Sequence, residues 1–458
     1  MSEPLVHLAF EGGTVIVTGP EPEQIAALPH CEFDARTSEY RCEGRHYRAV
    51  VEHLMREKID FTDEARLWNV TEWQLQYERE PFPHQQEGVD TWRKSGARGV
   101  VVLPTGTGKT FLAILAIEKV ARPTLVVTPT LDLLNQWHDE LRNAFGGTIG
   151  LLGGGDYDIQ PITVTTYQSA YIHLERWGNR FALLVFDECH HLPGESYSEI
   201  ARGALAPFRL GLTATPERSD GMQSMLPSLI GPEIYRREIK ELSGNYLANY
   251  RAERKYVELT PEEEERYNRA RDQYRRFLFD QGISLGGQYG WQNFIQASCR
   301  STEGRAAFQA YREQKRLALA APAKLAKLEE LLRDHANDRI LIFTYDNATV
   351  YEIARRFLIP AITHQTKTRE RRKILDCFHT GEYPIVVTSQ VLNEGVDVPA
   401  ANVGIILSGT GSVREHVQRL GRLLRKHGDK QAILYEIVTR GTAEEFTSER
   451  RRQHHAYQ

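Results

Sequence analysis

The chain has 458 residues, which at roughly 100–200 residues per domain allows two to four domains and excludes a single small module. Hydrophobic residues make up 41%, charged residues 26% and aromatics 9%, a composition that excludes disorder, collagen and an extended coiled coil. With 57 basic against 61 acidic side chains the net charge is −4, so any nucleic-acid contact must come from local patches rather than a global basic field.

In chain order, the first predicted elements are strands at Leu5–Phe10 and Thr14–Gly19 around the turn Glu11-Gly12-Gly13. They are followed by strand-like sequence at Phe33–Gly44 and an amphipathic stretch at Tyr47–Glu57, so residues 1–75 read as a small α+β domain. From residue 76 to 240 short apolar runs (Gly99–Leu103, Thr124–Pro129, Ile162–Tyr167, Ala182–Glu188, Arg209–Thr215) alternate with helical segments such as Phe111–Val120 and Leu131–Phe145. That alternation predicts a parallel sheet of βαβ units. Strands are expected to vanish over 241–320, where Thr260-Pro261-Glu262-Glu263 predicts a helix start and Arg-rich, aromatic-rich helical sequence follows. Over 321–458 apolar runs return at Ile340–Tyr345, Ala361–His364, Pro384–Ser389, Val403–Gly409 and Ala432–Val438 and predict a second α/β domain. The cysteines Cys31, Cys42, Cys189, Cys299 and Cys377 form no Cys-x-x-Cys pair, so neither zinc nor an iron–sulfur cluster is expected, and the thiols read as reduced and intracellular. No targeting segment or run of 18 apolar residues is found, so no membrane is expected as a partner.

The strongest chemical signal is Leu103-Pro104-Thr105-Gly106-Thr107-Gly108-Lys109-Thr110, between a predicted strand and a predicted helix. In that context backbone N–H groups cradle phosphates, Lys109 neutralises the outer phosphate oxygens and Thr110 ligates Mg²⁺. Leu103 stands where the strict pattern has Gly. Asp187-Glu188 closes a second apolar strand; Asp187 would hold the cation and Glu188 would orient and deprotonate the attacking water. Near the end of the chain Gln418, Arg422 and Arg425 lie in QRLGRLLR, where the two arginines share a helical face and could neutralise transition-state charge; a solvated basic helix is the alternative.

Pro104–Thr110, Asp187-Glu188-Cys189-His190, Thr213-Ala214-Thr215, Asn393–Pro399 and Gln418–Arg425 follow the motif order of superfamily 2 helicases, which the chain resembles over residues 80–440. Within that superfamily it looks most like the XPB family, in a short archaeal or bacterial form; Arg218-Ser219-Asp220 stands where that family carries Arg-Glu-Asp. The resemblance implies two RecA-like domains, a helical thumb that grips DNA, and a leading domain like a damage-recognition module. It implies Gln85 as adenine reader, with Thr105, Gly106, Thr107, Gly108, Lys109, Thr110, Gly395 and Asp397 holding ATP. Thr128-Pro129-Thr130, Thr166 and Thr388 would meet the DNA backbone, joined by Arg266, Arg269 and Arg275 of the insert. Thr213, Ala214 and Thr215, with Arg218 and Asp220, would couple hydrolysis to closure. The expected protein is a cytoplasmic, prokaryotic, ATP- and Mg²⁺-dependent 3′–5′ DNA helicase or translocase. Its expected partners are forked, bubble or partly single-stranded DNA, with a nuclease as candidate protein partner. The rival readings are the motor subunit of a restriction system, an RNA helicase and a non-catalytic DNA-binding scaffold.

Overall fold

The computed structural model describes residues 6–19, 22–71, 73–76, 78–218, 220–244, 246–247, 249–286, 289–389, 401–409 and 431–452. The chain divides into two compact units, Met1–Glu241 and Leu242–Gln458. No helix among the described residues is long and apolar enough to cross a membrane.

The first unit opens with a five-stranded sheet in the order Glu32–Asp34, Glu39–Glu43, Thr14–Thr18, Val6–Glu11, Phe61–Asp63. Gly12 and Gly13 turn the hairpin with φ of 55° and 83°, a region that costs other residues strain. Val6, Leu8, Val15 and Val17 alternate inward with Val50 and Leu54 of the helix Tyr47–Arg56, and the same core takes in Ala182 and Leu205. The leading sheet is thereby packed onto the α/β layer behind it. Backbones meet closely there, because a Cβ on Gly44 would collide with the Gly203 carbonyl.

That layer is an eight-stranded sheet in the order Glu233–Arg236, Arg98–Val102, Phe208–Thr213, Leu183–Asp187, Thr124–Thr128, Ile162–Thr166, Gly150–Gly153, Asp156–Tyr157. Its pairings are parallel except for the last, between Gly150–Gly153 and Asp156–Tyr157. Thr124–Thr128, Ile162–Thr166 and Leu183–Asp187 are buried at every residue, since helices cover both faces of a parallel sheet; this is why these strands read as unbroken apolar runs.

The second unit holds a six-stranded parallel sheet in the order Asn249–Val257, Gln431–Thr439, Val403–Ile406, Ile340–Phe343, Ile385–Thr388, Ala361–Ile362. The strand Asn249–Val257 corrects the expectation that strands vanish between residues 241 and 320. All nine of its residues pair with Gln431–Thr439. It is an edge strand whose Arg251, Glu253, Arg254 and Lys255 break the apolar run, so its pattern resembles solvated sequence. The helices Pro261–Asp280, Gly290–Arg300 and Thr302–Leu319 follow. Thr260 caps the first with a reciprocal Glu263 bond, as the sequence motif requires. Phe294 is fully buried among Tyr274, Leu278, Ala307 and Ala310, giving the helices their own core.

Candidate functional site

At the carboxyl edge of the eight-stranded sheet, Arg98–Val102 leads into the loop and the helix Lys109–Val120. Gly106 and Gly108 take φ of 89° and 82°, and a Cβ on Gly108 would strike the Gln85 amide, so this cradle requires glycine. The departure at Leu103 is accommodated because that residue, just past the strand's end, stays fully buried, and its N–H donates to the Thr213 carbonyl at 3.0 Å. Thr107 Oγ1 donates to the Pro104 carbonyl at 2.8 Å and closes the loop, whereas Thr105 Oγ1 is buried with no hydrogen-bond partner among the described residues.

Lys109 Nζ donates to the Leu103 carbonyl at 3.2 Å and lies 3.8 Å from Glu188 Oε1. Glu188 itself sits in the left-handed region at φ 46°, a conformation that costs a non-glycine residue energy and that turns its carboxylate back toward the loop. Asp187 is fixed by three donors: Trp137 Nε1 to Oδ2 at 2.8 Å, the Glu188 N–H to Oδ1 at 3.0 Å, and the Tyr167 hydroxyl to its carbonyl at 3.0 Å. Burial, and then the neighbouring Glu188 carboxylate, push the Asp187 carboxyl up to about 6. Two adjacent buried carboxylates, with one ammonium beside Glu188, supply oxygen donors of the kind a divalent cation takes.

Thr213 joins these groups to the next strand. Its hydroxyl lies 3.4 Å from Glu188 Oε2, 3.1 Å from His190 Nδ1 and 3.2 Å from the Thr215 carbonyl, and it accepts the Thr215 N–H at 3.2 Å. Ala214 and Thr215 are buried beside it. Arg218 donates to the His190 carbonyl and holds Asp220, with Nε to Oδ1 at 2.9 Å. The altered Arg-Ser-Asp segment therefore reaches the Asp-Glu-Cys-His motif through the Arg218 guanidinium, without needing the missing Glu. Ser219 lies outside the described residues.

Gln85 is fully buried and braces the loop: its Nε2 donates to the carbonyls of Thr107 at 3.0 Å and Gly108 at 3.3 Å, and its Oε1 accepts from Phe82 N–H at 2.9 Å. His84 Nε2 also reaches the Thr107 carbonyl at 2.9 Å. Sequence reasoning missed His84, Trp137 and Tyr167 as supports of this site, and it missed Arg79, whose guanidinium lies 4.7 Å from the Phe111 ring centroid. None stands at a motif position, and the amphipathic pattern around Trp137 reads as ordinary core.

The expected DNA contacts divide by burial. Thr128 and Thr388 are fully buried, with hydroxyls donating to backbone carbonyls: Thr128 to Thr130 and Thr165, Thr388 to Ser389. Both hydroxyls are thus engaged with backbone at the carboxyl ends of parallel strands. Thr130 and Thr166 instead cap the helices Leu131–Phe145 and Tyr167–Ile172, accepting from Leu133 and Ser169 N–H groups. Pro129 precedes the first cap. On the helical insert Arg266 pairs with Glu313 and Arg269 with Glu265, while Arg275 is exposed. Gly395, Asp397, Gln418, Arg422 and Arg425 lie outside the described residues.

A parallel sheet with a phosphate cradle, a loop lysine and paired carboxylates at its carboxyl edge defines the class: a phosphate-loop ATPase of helicase type. Family models match along the chain: the XPB helicase damage recognition domain at residues 8–65, the type III restriction enzyme res subunit at 78–218, and the ERCC3/RAD25/XPB C-terminal helicase at 305–458. A DNA 3′-5′ translocase XPB2 from Sulfurisphaera tokodaii is 45% identical, with 81% of this chain and 84% of that protein covered. A DNA 3′-5′ helicase XPB from Kineococcus radiotolerans is 32% identical over 79% of this chain and 60% of its own length. The chain belongs to the XPB family of helicases, a family that implies ATP and a divalent metal. Among solved structures, the Hef helicase domain of Pyrococcus furiosus shares the fold with a TM-score of 0.55 at 20% identity, covering 80% of this chain and 97% of that one.

Proposed function

We propose that the chain is an ATP-driven 3′–5′ DNA translocase and helicase of the XPB kind, acting in an intracellular compartment in DNA repair or transcription-linked DNA opening. The observation that carries this reading is the contiguous set Lys109, Glu188, Thr213 and His190, in which the groups suited to hydrolysis are tied by side-chain contacts to the strand end expected to report it. Glu188 accepts the proton of the attacking water, and Lys109 holds the outer phosphates. Thr110 and Asp187 would hold Mg²⁺, which would supply charge neutralisation at the phosphate oxygens. Arg422 and Arg425 meet the charge that develops on the transferred group, and Gly395 and Asp397 complete the nucleotide contacts.

Residues 241–320 hold the DNA. Tyr267, Tyr274 and Phe294 are core, but Phe279, Tyr289 and Trp291 are 86%, 59% and 43% exposed, and Arg275 and Arg276 of the same insert are exposed too. Exposed rings interleaved with guanidinium groups suit base stacking and phosphate contact. Opening DNA costs about 1.4 kcal/mol per base-pair step, within reach of one ATP for a step of one or a few pairs. The test is strand displacement on forked DNA carrying either a 3′ or a 5′ single-stranded tail. The 3′-tailed fork should be opened with ATP and left closed by Glu188→Gln; preference for the 5′ tail, or opening without hydrolysis, would refute the reading.

A further inference from the structure

The leading sheet carries a pair of thiols for which ATP-driven motion has no use. Its edge strand Glu32–Asp34 runs antiparallel to Glu39–Glu43 with Glu32 opposite Arg41, Phe33 opposite Tyr40 and Asp34 opposite Glu39. Extended by one rung, that register sets Cys31 opposite Cys42; both side chains lie in the core of the leading sheet, within hydrogen-bonding reach of each other. Directly opposed residues in an antiparallel pair have Cα atoms about 4.5–5.5 Å apart, inside the span of about 4.4–6.8 Å that a disulfide bridges. Cys31 is partly exposed, whereas Cys42 is 5% exposed and packed with Val15 and Val17.

We infer that Cys31 and Cys42 form a reversible dithiol/disulfide site that reacts with low-molecular-weight disulfides. The two thiols are unequal in the way such a site requires. The hydrogen bond from Cys42 holds the Cys31 thiol below its ordinary range, while the same bond and then burial push Cys42 up. Cys31, accessible and more readily ionised, is the attacking group, and Cys42 is the resolving one. The Cys31 thiolate attacks one sulfur of the small disulfide, forming a mixed disulfide and releasing one thiolate. The Cys42 sulfur then attacks Cys31 Sγ, loses its proton to solvent and expels the second small thiol. The protein pair is oxidised by two electrons and the small disulfide is reduced to two thiols.

A metal site is the other use for cysteines near histidines, and the geometry speaks against it. His30 and His46 lie close by in sequence, but their rings stack face to face at 3.8 Å and 19°, which does not aim two nitrogens at a common point. Among the described residues no group of three or more His, Cys, Asp or Glu side chains could hold a metal ion. Cys189 is buried and Cys299 is exposed, so these two cysteines serve as internal controls for access.

The test incubates the folded full-length chain with oxidised glutathione, then counts free thiols after denaturation and maps disulfide-linked peptides. The expected result is a Cys31–Cys42 cross-link within one chain, reversed by dithiothreitol. In Cys42→Ser the reaction should stop at a glutathione adduct on Cys31, and in Cys31→Ser residue 42 should stay unmodified. A parent chain in which Cys31 and Cys42 stay reduced while Cys299 is modified, or in which Cys31 retains glutathione without passing it on to Cys42, would overturn the inference. Because the parent chain alone yields either pattern, the test does not depend on the variants folding.

Discussion

Glu188 concentrates the strain and the contacts of the ATP site: a left-handed backbone, Lys109 at 3.8 Å and Thr213 at 3.4 Å. Replacing its carboxylate with an amide removes the proposed proton acceptor while preserving shape. Glu188→Gln is therefore expected to keep ATP binding and lose roughly 10²–10⁴-fold in turnover, the usual contribution of a positioned base. A parent-like hydrolysis rate would contradict the assignment. Thr213→Ala removes the hydroxyl shared by Glu188, His190 and Thr215 but leaves Lys109 and the carboxylates in place. ATP hydrolysis should fall far less than fork opening does, and a parallel loss of both would show that Thr213 acts only on chemistry. The sequence made Lys109, Asp187, Glu188 and Thr213 legible because phosphate chemistry fixes residue types at fixed places in a strand–loop–helix. It did not reveal Trp137 or Tyr167, since a donor to Asp187 can come from any neighbouring element that the fold brings near.

At the scale of elements, the helical insert has a base and a tip. Tyr267 Oη accepts from Gln314 and from the Ala443 N–H, both at 2.9 Å, and the Thr439 hydroxyl donates to the Ala318 carbonyl at 2.8 Å, so the ends of the insert are stitched to the six-stranded sheet and the helix Ala443–Arg452. Replacing residues 271–309 with a Gly/Ser linker spares that base. Basal ATP hydrolysis should persist, fork opening should be lost, and the slope of log DNA affinity against log salt should flatten by about 0.7–0.9 per phosphate contact removed. Unchanged opening and slope in a folded variant would make the insert structural. A second element-scale feature is the fully buried Lys324, whose ammonium meets the Leu407 and Ile437 carbonyls and Glu444. Lys324→Met strands the Glu444 carboxylate in the core and should cost about 3–5 kcal/mol in denaturant unfolding, with much of the loss recovered on adding Glu444→Leu. Loss of stability no greater than for a surface substitution would show that the pair is dispensable. Neither the Lys324 pair nor the strand Asn249–Val257 was legible in sequence: each joins residues far apart in the chain, and the strand's charged residues mask its period.

At the scale of the whole molecule, the order of apolar runs and turn glycines sufficed to foresee parallel α/β sheets, because strands covered on both faces must be apolar at nearly every position. The packing of the leading sheet against Ala182 and Leu205 was not foreseeable, since contacts between separate elements leave no periodic trace. What unites the parts in this account is that DNA sets the pace of ATP hydrolysis. The most direct measurement is ATP turnover by the full chain titrated in parallel with single-stranded DNA, duplex, forked DNA and RNA. Turnover should rise steeply with DNA, most with forked or partly single-stranded forms, and stay near its basal rate with RNA; equal stimulation by RNA, or a rate indifferent to every nucleic acid, would contradict the account.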